Sequence, residues 1–183
     1  MAKKDNILGT ALIIGLAWWL WPKGNTSSAP ANNISNSSPA TNTGTLTPTQ
    51  FVNLISADAT AVETAVQVPH LVVEAVAALE SGWGSSALAV QGNNYFGIEA
   101  DSSWTGPTFM VSGQPFRKYA SMTDSAIDFG NYLRANSNYD NAFTTTDPAT
   151  FATAVAAGGY GGADVNYASK LVALIQQLQT MGQ

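Results

Sequence analysis

Cysteine is absent from the 183 residues, histidine occurs once, and only 10% of the side chains are charged. Without cysteine there is no disulfide framework, iron–sulfur cluster or cysteine-ligated zinc. With His70 alone there is no multi-histidine metal site and no second catalytic histidine. Lysine and arginine are scarce: seven stand against twelve aspartates and glutamates, a net charge of −5. That balance excludes nucleic-acid binding through a broad basic face. What is present is an apolar fraction of 45%, enough for an ordinary core.

Three unlike segments share the chain. Residues 1–24 hold an uncharged run from Ile7 to Trp21, fifteen residues long. As a helix it would reach about 22 Å, short against a bilayer core of about 30 Å. Trp18, Trp19 and Trp21 stand where an interfacial aromatic belt would lie, and Lys3 and Lys4 precede the run. The pattern predicts a single N-terminal hydrophobic helix acting as a membrane anchor. A basic start, a short apolar run and Ala29-Pro30-Ala31 also fit a cleaved signal peptide, and a buried soluble helix is a third reading. Residues 25–46 carry no charge and no aromatic ring and cannot bury enough surface to offset their ordering entropy, so they read as a flexible linker. Its 22 residues have a root-mean-square reach of about 25 Å.

Residues 47–183 are the globular part. Four basic residues there face eleven acidic ones, a net charge of −7. Thr47-Pro48-Thr49-Gln50 is a helix start, with Thr at the cap, Pro at the first position and Gln three residues on. Apolar spacing continues that helix to Pro69. His70–Leu79 is apolar almost all round, the mark of a helix buried mid-domain, and Ser81-Gly82-Trp83-Gly84 stops it. A short helix over Ser85–Val90 and a loop follow. Pro107–Val111 and Pro115–Tyr119 then flank Ser112-Gly113-Gln114, a small hairpin with a three-residue turn. Ser121 caps a helix burying Ala126, Ile127, Phe129, Tyr132 and Leu133. Asp147-Pro148 opens another, ended by Gly158-Gly159, and Asp164 begins the last. The class is α+β: mostly helical, with one small β-lobe.

Glu80 lies in the last turn of the most apolar helix. Desolvation and the partial negative charge of a helix C-terminus both disfavour its carboxylate. A carboxylic acid still protonated near neutrality is what general-acid catalysis needs. The same position also suits a plainly solvated glutamate. Trp83 offers a flat face for a sugar ring or a core packing surface, Tyr160 reads as core or functional, and His70 reads as a surface or capping residue. The glycines around Tyr160 have neither the preceding strand nor the following Lys-Ser/Thr of a phosphate loop.

The run VVEAVAALESGWGSSALAVQGNNYFGIEA resembles the glucosaminidase domains of glycoside hydrolase family 73, peptidoglycan hydrolases whose pattern is ALESGWG, a short helix, then NNLFGIK. FRKYASMTDSAIDFGNYLRANSNYDNA and AAGGYGGADVNYASKLVALI continue the likeness in order, over about residues 47–180. The resemblance implies a lysozyme-like fold and cleavage of β-1,4 bonds in bacterial cell-wall glycan, without metal or organic cofactor. It implies Glu80 as the general acid, and Tyr160 beside it as the tyrosine of GGY. It matches Trp83, Asn94, Phe96 and Gly97 to groove-lining or structural motif positions and gives Tyr167 a packing role; Trp83, Asn94, Phe96, Glu99 and Trp104 are the expected substrate-binding residues.

One departure stands out. Relatives carry a second carboxylate in the β-lobe, whereas Thr105–Tyr119 has none here. Asp101, ahead of Glu99, is the expected substitute, or the substrate's own acetamido group acts instead. The expected function is a membrane-anchored endo-β-N-acetylglucosaminidase whose domain faces the cell wall, in a bacterial envelope or in the membrane of a phage particle as a virion enzyme. Its partners would be glycan strands and the membrane, with no nucleic acid. A lytic transglycosylase on the same fold and a non-catalytic glycan-binding module are the alternatives.

Overall fold

The structure, a computed structural model, describes residues 46–182. The expected N-terminal anchor, and all of the linker but its last residue, lie outside the described residues. Six α-helices and a two-stranded sheet follow one another as α1 (Pro48–Val66), α2 (His70–Ser81), α3 (Ala87–Gly92), β1 (Thr108–Val111), β2 (Gln114–Arg117), α4 (Met122–Ala135), α5 (Pro148–Ala157) and α6 (Tyr167–Thr180), with a 3-10 helix over Ser137–Thr144 between α4 and α5.

The caps explain most of these bounds. Thr47 and Gln50 form a reciprocal capping box around Pro48, satisfying donors that α1 cannot pair internally. Ser121 accepts from the Asp124 amide to start α4, and Asp147 accepts from Thr150 to start α5. The buried helix is α2: from Leu71 to Ala78 every residue is buried, and α1, α5 and α6 pack around it. α1 also packs on α4, and α5 on α6.

Four local expectations are corrected. Val111 pairs directly with Gln114, so the hairpin turn has two residues, not three. Ser112 and Gly113 both have positive φ (50° and 86°), as a tight primed turn requires. α3 runs over Ala87–Gly92 rather than Ser85–Val90, because the Ser86 hydroxyl caps it. α6 begins at Tyr167, three residues after Asp164. Ile127, expected inside, is 48% exposed on the outer side of α4, and Gly130 takes the inner position. There a Cβ would meet Val62 of α1 at 2.6 Å, so only glycine allows the two helices this approach.

The small sheet gains a partial third member where Glu99 bridges to Phe116. Arg117 knits this lobe to the helices. It is 8% exposed, pairs with Asp128 of α4 at 2.9 Å, and donates from Nε to the Glu99 carbonyl.

Candidate active site

The turn after α2 is built by Ser81. Fully buried, its hydroxyl donates to the Ala77 carbonyl and accepts from the Gly84 amide (2.7 Å). Between them Gly82, Trp83 and Gly84 all have positive φ. Glycine adopts that region freely; Trp83 is held there against its preference. This left-handed reversal turns the chain away at once and leaves Glu80 partly exposed at the end of α2.

Two segments close on the Glu80 carboxyl. From α6, the Tyr167 hydroxyl donates to Oε1 at 2.7 Å. From the loop after α3, Gly97 lies against Oε2, where a Cβ would stand 3.2 Å away. Burial pushes the carboxyl up to about 7; the Tyr167 hydrogen bond pulls it down, Asp164 raises it and Lys170 lowers it. At neutral pH a large share of Glu80 therefore carries its proton.

Tyr160 does not touch that carboxyl. Its hydroxyl donates to the Phe96 carbonyl at 2.8 Å, and its ring, 2% exposed, packs among Phe129, Tyr139 and Tyr167. Tyr167, expected to pack, is buried and also bonds the Glu80 carboxyl, and Tyr160 fixes the loop that lies over it.

Asn94 and Phe96 sit inside the fold rather than on an open surface. Asn94 donates to the Ile98 and Arg117 carbonyls and accepts from the Phe96 and Ile98 amides. With its donors and acceptor engaged, it staples the loop's turn and keeps nothing for a sugar. Phe96 is fully buried and stacks on Phe129 with centroids 4.4 Å apart. Trp83 is half-buried, edge-on to Phe51 at 5.9 Å. Trp104 donates from Nε1 to the Pro107 carbonyl and covers the Arg117 guanidinium at 4.9 Å.

The two stand-in carboxylates differ sharply. Asp101 is exposed and accepts from the Ser103 hydroxyl and amide, with Arg117 3.6 Å away. The Ser103 hydroxyl, first among these partners, holds it below the usual aspartate range. Glu99 is the reverse: its Oε1 is buried with no hydrogen-bond partner, and desolvation raises its carboxyl. No group of three or more His, Cys, Asp or Glu among the described residues is arranged to hold a metal ion.

The glucosaminidase family, described as mannosyl-glycoprotein endo-beta-N-acetylglucosaminidase, matches residues 56–180. The chain belongs to this family. Among its curated relatives, the peptidoglycan hydrolase FlgJ of Salmonella typhimurium is 34% identical over 132 residues, 63% of this chain and 42% of the relative. The FlgJ of Pseudomonas aeruginosa is 33% identical over 123 residues, 58% of this chain and 30% of the relative. The chain therefore spans less than half the length of these two proteins. Among solved structures, the glycoside hydrolase domain of the Salmonella protein has a TM-score of 0.66 at 33% identity, covering 75% of this chain and 91% of that one. A peptidoglycan hydrolase from Sphingomonas sp. A1 gives 0.63 at 30%, with coverages of 72% and 92%. The catalytic domain of the autolysin Auto from Listeria monocytogenes gives 0.61 at 25%, with coverages of 81% and 90%.

In this glucosaminidase-family domain, three features of the site go beyond the sequence reading. Ser81 carries the turn, Tyr167 holds the acid, and an Arg117–Asp128–Tyr119 network joins the β-lobe to α4, with the Tyr119 hydroxyl 2.7 Å from Asp128. Arg117 and Tyr119 lie in the FRKY stretch that carried part of the resemblance. Nothing in the spacing of Asp128 marked it as their shared partner.

Proposed function

We propose that the domain is a peptidoglycan hydrolase of endo-β-N-acetylglucosaminidase type, cleaving β-1,4 glycosidic bonds of cell-wall glycan. The observation that carries the reading is the state of Glu80: a carboxyl that burial raises to about 7, on a residue that is itself only partly buried, with one oxygen held by Tyr167 and Gly97 against the other. The relatives named as peptidoglycan hydrolases supply the substrate class. Glu80 donates its proton to the leaving glycosidic oxygen as the bond to the anomeric carbon breaks and an oxocarbenium-like centre develops. Water adds its hydroxyl to that carbon, and its proton passes to the second catalytic group.

For that second group Glu99 is a better candidate than the expected Asp101. A carboxylate already engaged by Ser103 and Arg117 is a weak base, whereas a desolvated one with an unbonded oxygen is basic. The substrate's acetamido group remains the competing route, and the two amide variants separate them. If Glu99→Gln loses activity nearly as badly as Glu80→Gln while Asp101→Asn does not, Glu99 holds the role. If both variants stay within roughly tenfold of wild type, about 1.4 kcal/mol, the acetamide or an anhydro route does.

Residues 1–24 tether the domain to a membrane in this reading, and the linker lets it search the adjacent wall layer. Mass spectrometry of fragments released from purified sacculi tests the activity. Reducing-end N-acetylglucosamine is the expected product, an anhydro sugar would make the protein a lytic transglycosylase, and no cleavage would leave a binding module.

A further inference from the structure

The segment that reaches Glu80 from the C-terminal side carries a charge pair alongside the tyrosine. Asn166, at the N-cap of α6, makes no side-chain capping bond. Asp164 serves that end instead. Its carbonyl accepts from the Tyr167 amide at 3.0 Å, its Oδ1 from the Asn166 amide at 3.0 Å, and its Oδ2 from the Lys170 ammonium at 2.7 Å. The first turn of α6 is thereby clasped on both sides of Tyr167, whose hydroxyl lies 2.7 Å from Glu80 Oε1.

We propose, resting on the hydrolase reading above, that Asp164 and Lys170 are positioning residues for the catalytic acid: the pair seats Tyr167 on Glu80, and its two opposed charges set the field in which Glu80 keeps or releases its proton. Tyr167 from α6 bonds the carboxyl, and Lys170 from α6 and Asp164 and the neutral Tyr160 from the turn before it act on it electrostatically. Gly97, from the loop, brings no charge. Asp164 raises the Glu80 carboxyl and Lys170 lowers it, so the pair works as a balance rather than as a single push. Both members are partly open to solvent, which screens their effect.

The test compares full-chain Asp164→Asn, Lys170→Gln, the double variant and Lys170→Arg on purified sacculi, reading the pH profile of kcat/KM. The alkaline limb reports loss of the Glu80 proton. Removing the ammonium moves that limb to higher pH; removing the carboxylate moves it to lower pH. Each shift is on the order of half a pH unit and shrinks in high salt. The double variant lies between the two singles, and Lys170→Arg keeps the wild-type limb. One unit above the limb, the two singles then differ by about tenfold in rate. If both limbs move the same way, or if activity falls with the profile unmoved, the pair is only structural and the proposal fails. Glu80→Gln in the same assay keeps the two ideas apart: if it stays active, the hydrolase reading itself falls.

Discussion

Two glutamates on one helix illustrate how burial is used differently at neighbouring positions. Glu80 is partly exposed as a residue, and burial of its carboxyl raises it to about 7. Glu80→Gln preserves size and should leave the thermal unfolding midpoint near wild type while lowering release of soluble wall fragments at least about 100-fold. Glu74, six residues earlier, is 1% exposed, and neither carboxyl oxygen has a hydrogen-bond partner. Burial raises it to about 7, with His70 pulling it down. In the unfolded chain it ionises near 4.5. As pH rises from about 4.5 to about 7 the unfolded state therefore holds fewer protons than the folded one, and stability falls. The loss amounts to as much as about 3 kcal/mol and is complete once pH exceeds the folded value. Glu74→Leu should stabilise the domain little at pH 5 and clearly at pH 8, as read by chemical denaturation at both. A gain equal at the two pH values would mean that repacking, not ionisation, is responsible.

The helices show what was legible at the scale of elements. α1, α4 and α5 announce themselves through a Thr/Gln box, a Ser cap and an Asp-Pro pair, because caps act within three residues. The 3-10 helix over Ser137–Thr144 has a quieter start, an Asn136 side chain that accepts from the Asn138 amide. Its two buried residues, Tyr139 and Ala142, are three apart on one edge that packs on α5, too short a stripe to stand out in the sequence. α6 starts late for a local reason: Asp164, three residues ahead of Tyr167, accepts from the Asn166 and Tyr167 amides without itself being helical. The loop over Glu80 makes a prediction at this scale. Gly97 has φ of 68°, and a Cβ there would press on the carboxyl. Gly97→Ala should cost about 1 kcal/mol of stability through its backbone and a much larger fraction of activity. Measuring both on one preparation separates them; loss of activity only in proportion to unfolded protein would show that the contact with Glu80 is incidental.

Across the whole domain, Glu80 was a legible candidate for the acid and the residues that hold it were not. Glu80 stands out because its helix is apolar and its stop is glycine-rich, both local properties. Tyr167 is 87 positions further on, and nothing near it in the sequence says that its hydroxyl reaches back. Asn94 and Phe96 belong to a motif whose existence was plain, yet whether a motif residue faces outward or locks the backbone is decided by pairings such as that with Arg117. The described residues form a core of their own from Phe51 to Leu178, so residues 47–183 should fold and lyse free sacculi without the preceding segments. Aggregation of that fragment, or a non-cooperative unfolding transition, would move the domain boundary.

The Glu80 carboxyl and its phenol leave the ribosome 87 residues apart. Until α6 is made, α2 lacks one of its packing neighbours and the carboxyl lacks the Tyr167 hydrogen bond. In the hydrolase proposed above, a chain released before α6 lacks the Tyr167 hydrogen bond and should not lyse sacculi, so synthesis itself would delay the activity until the site is complete.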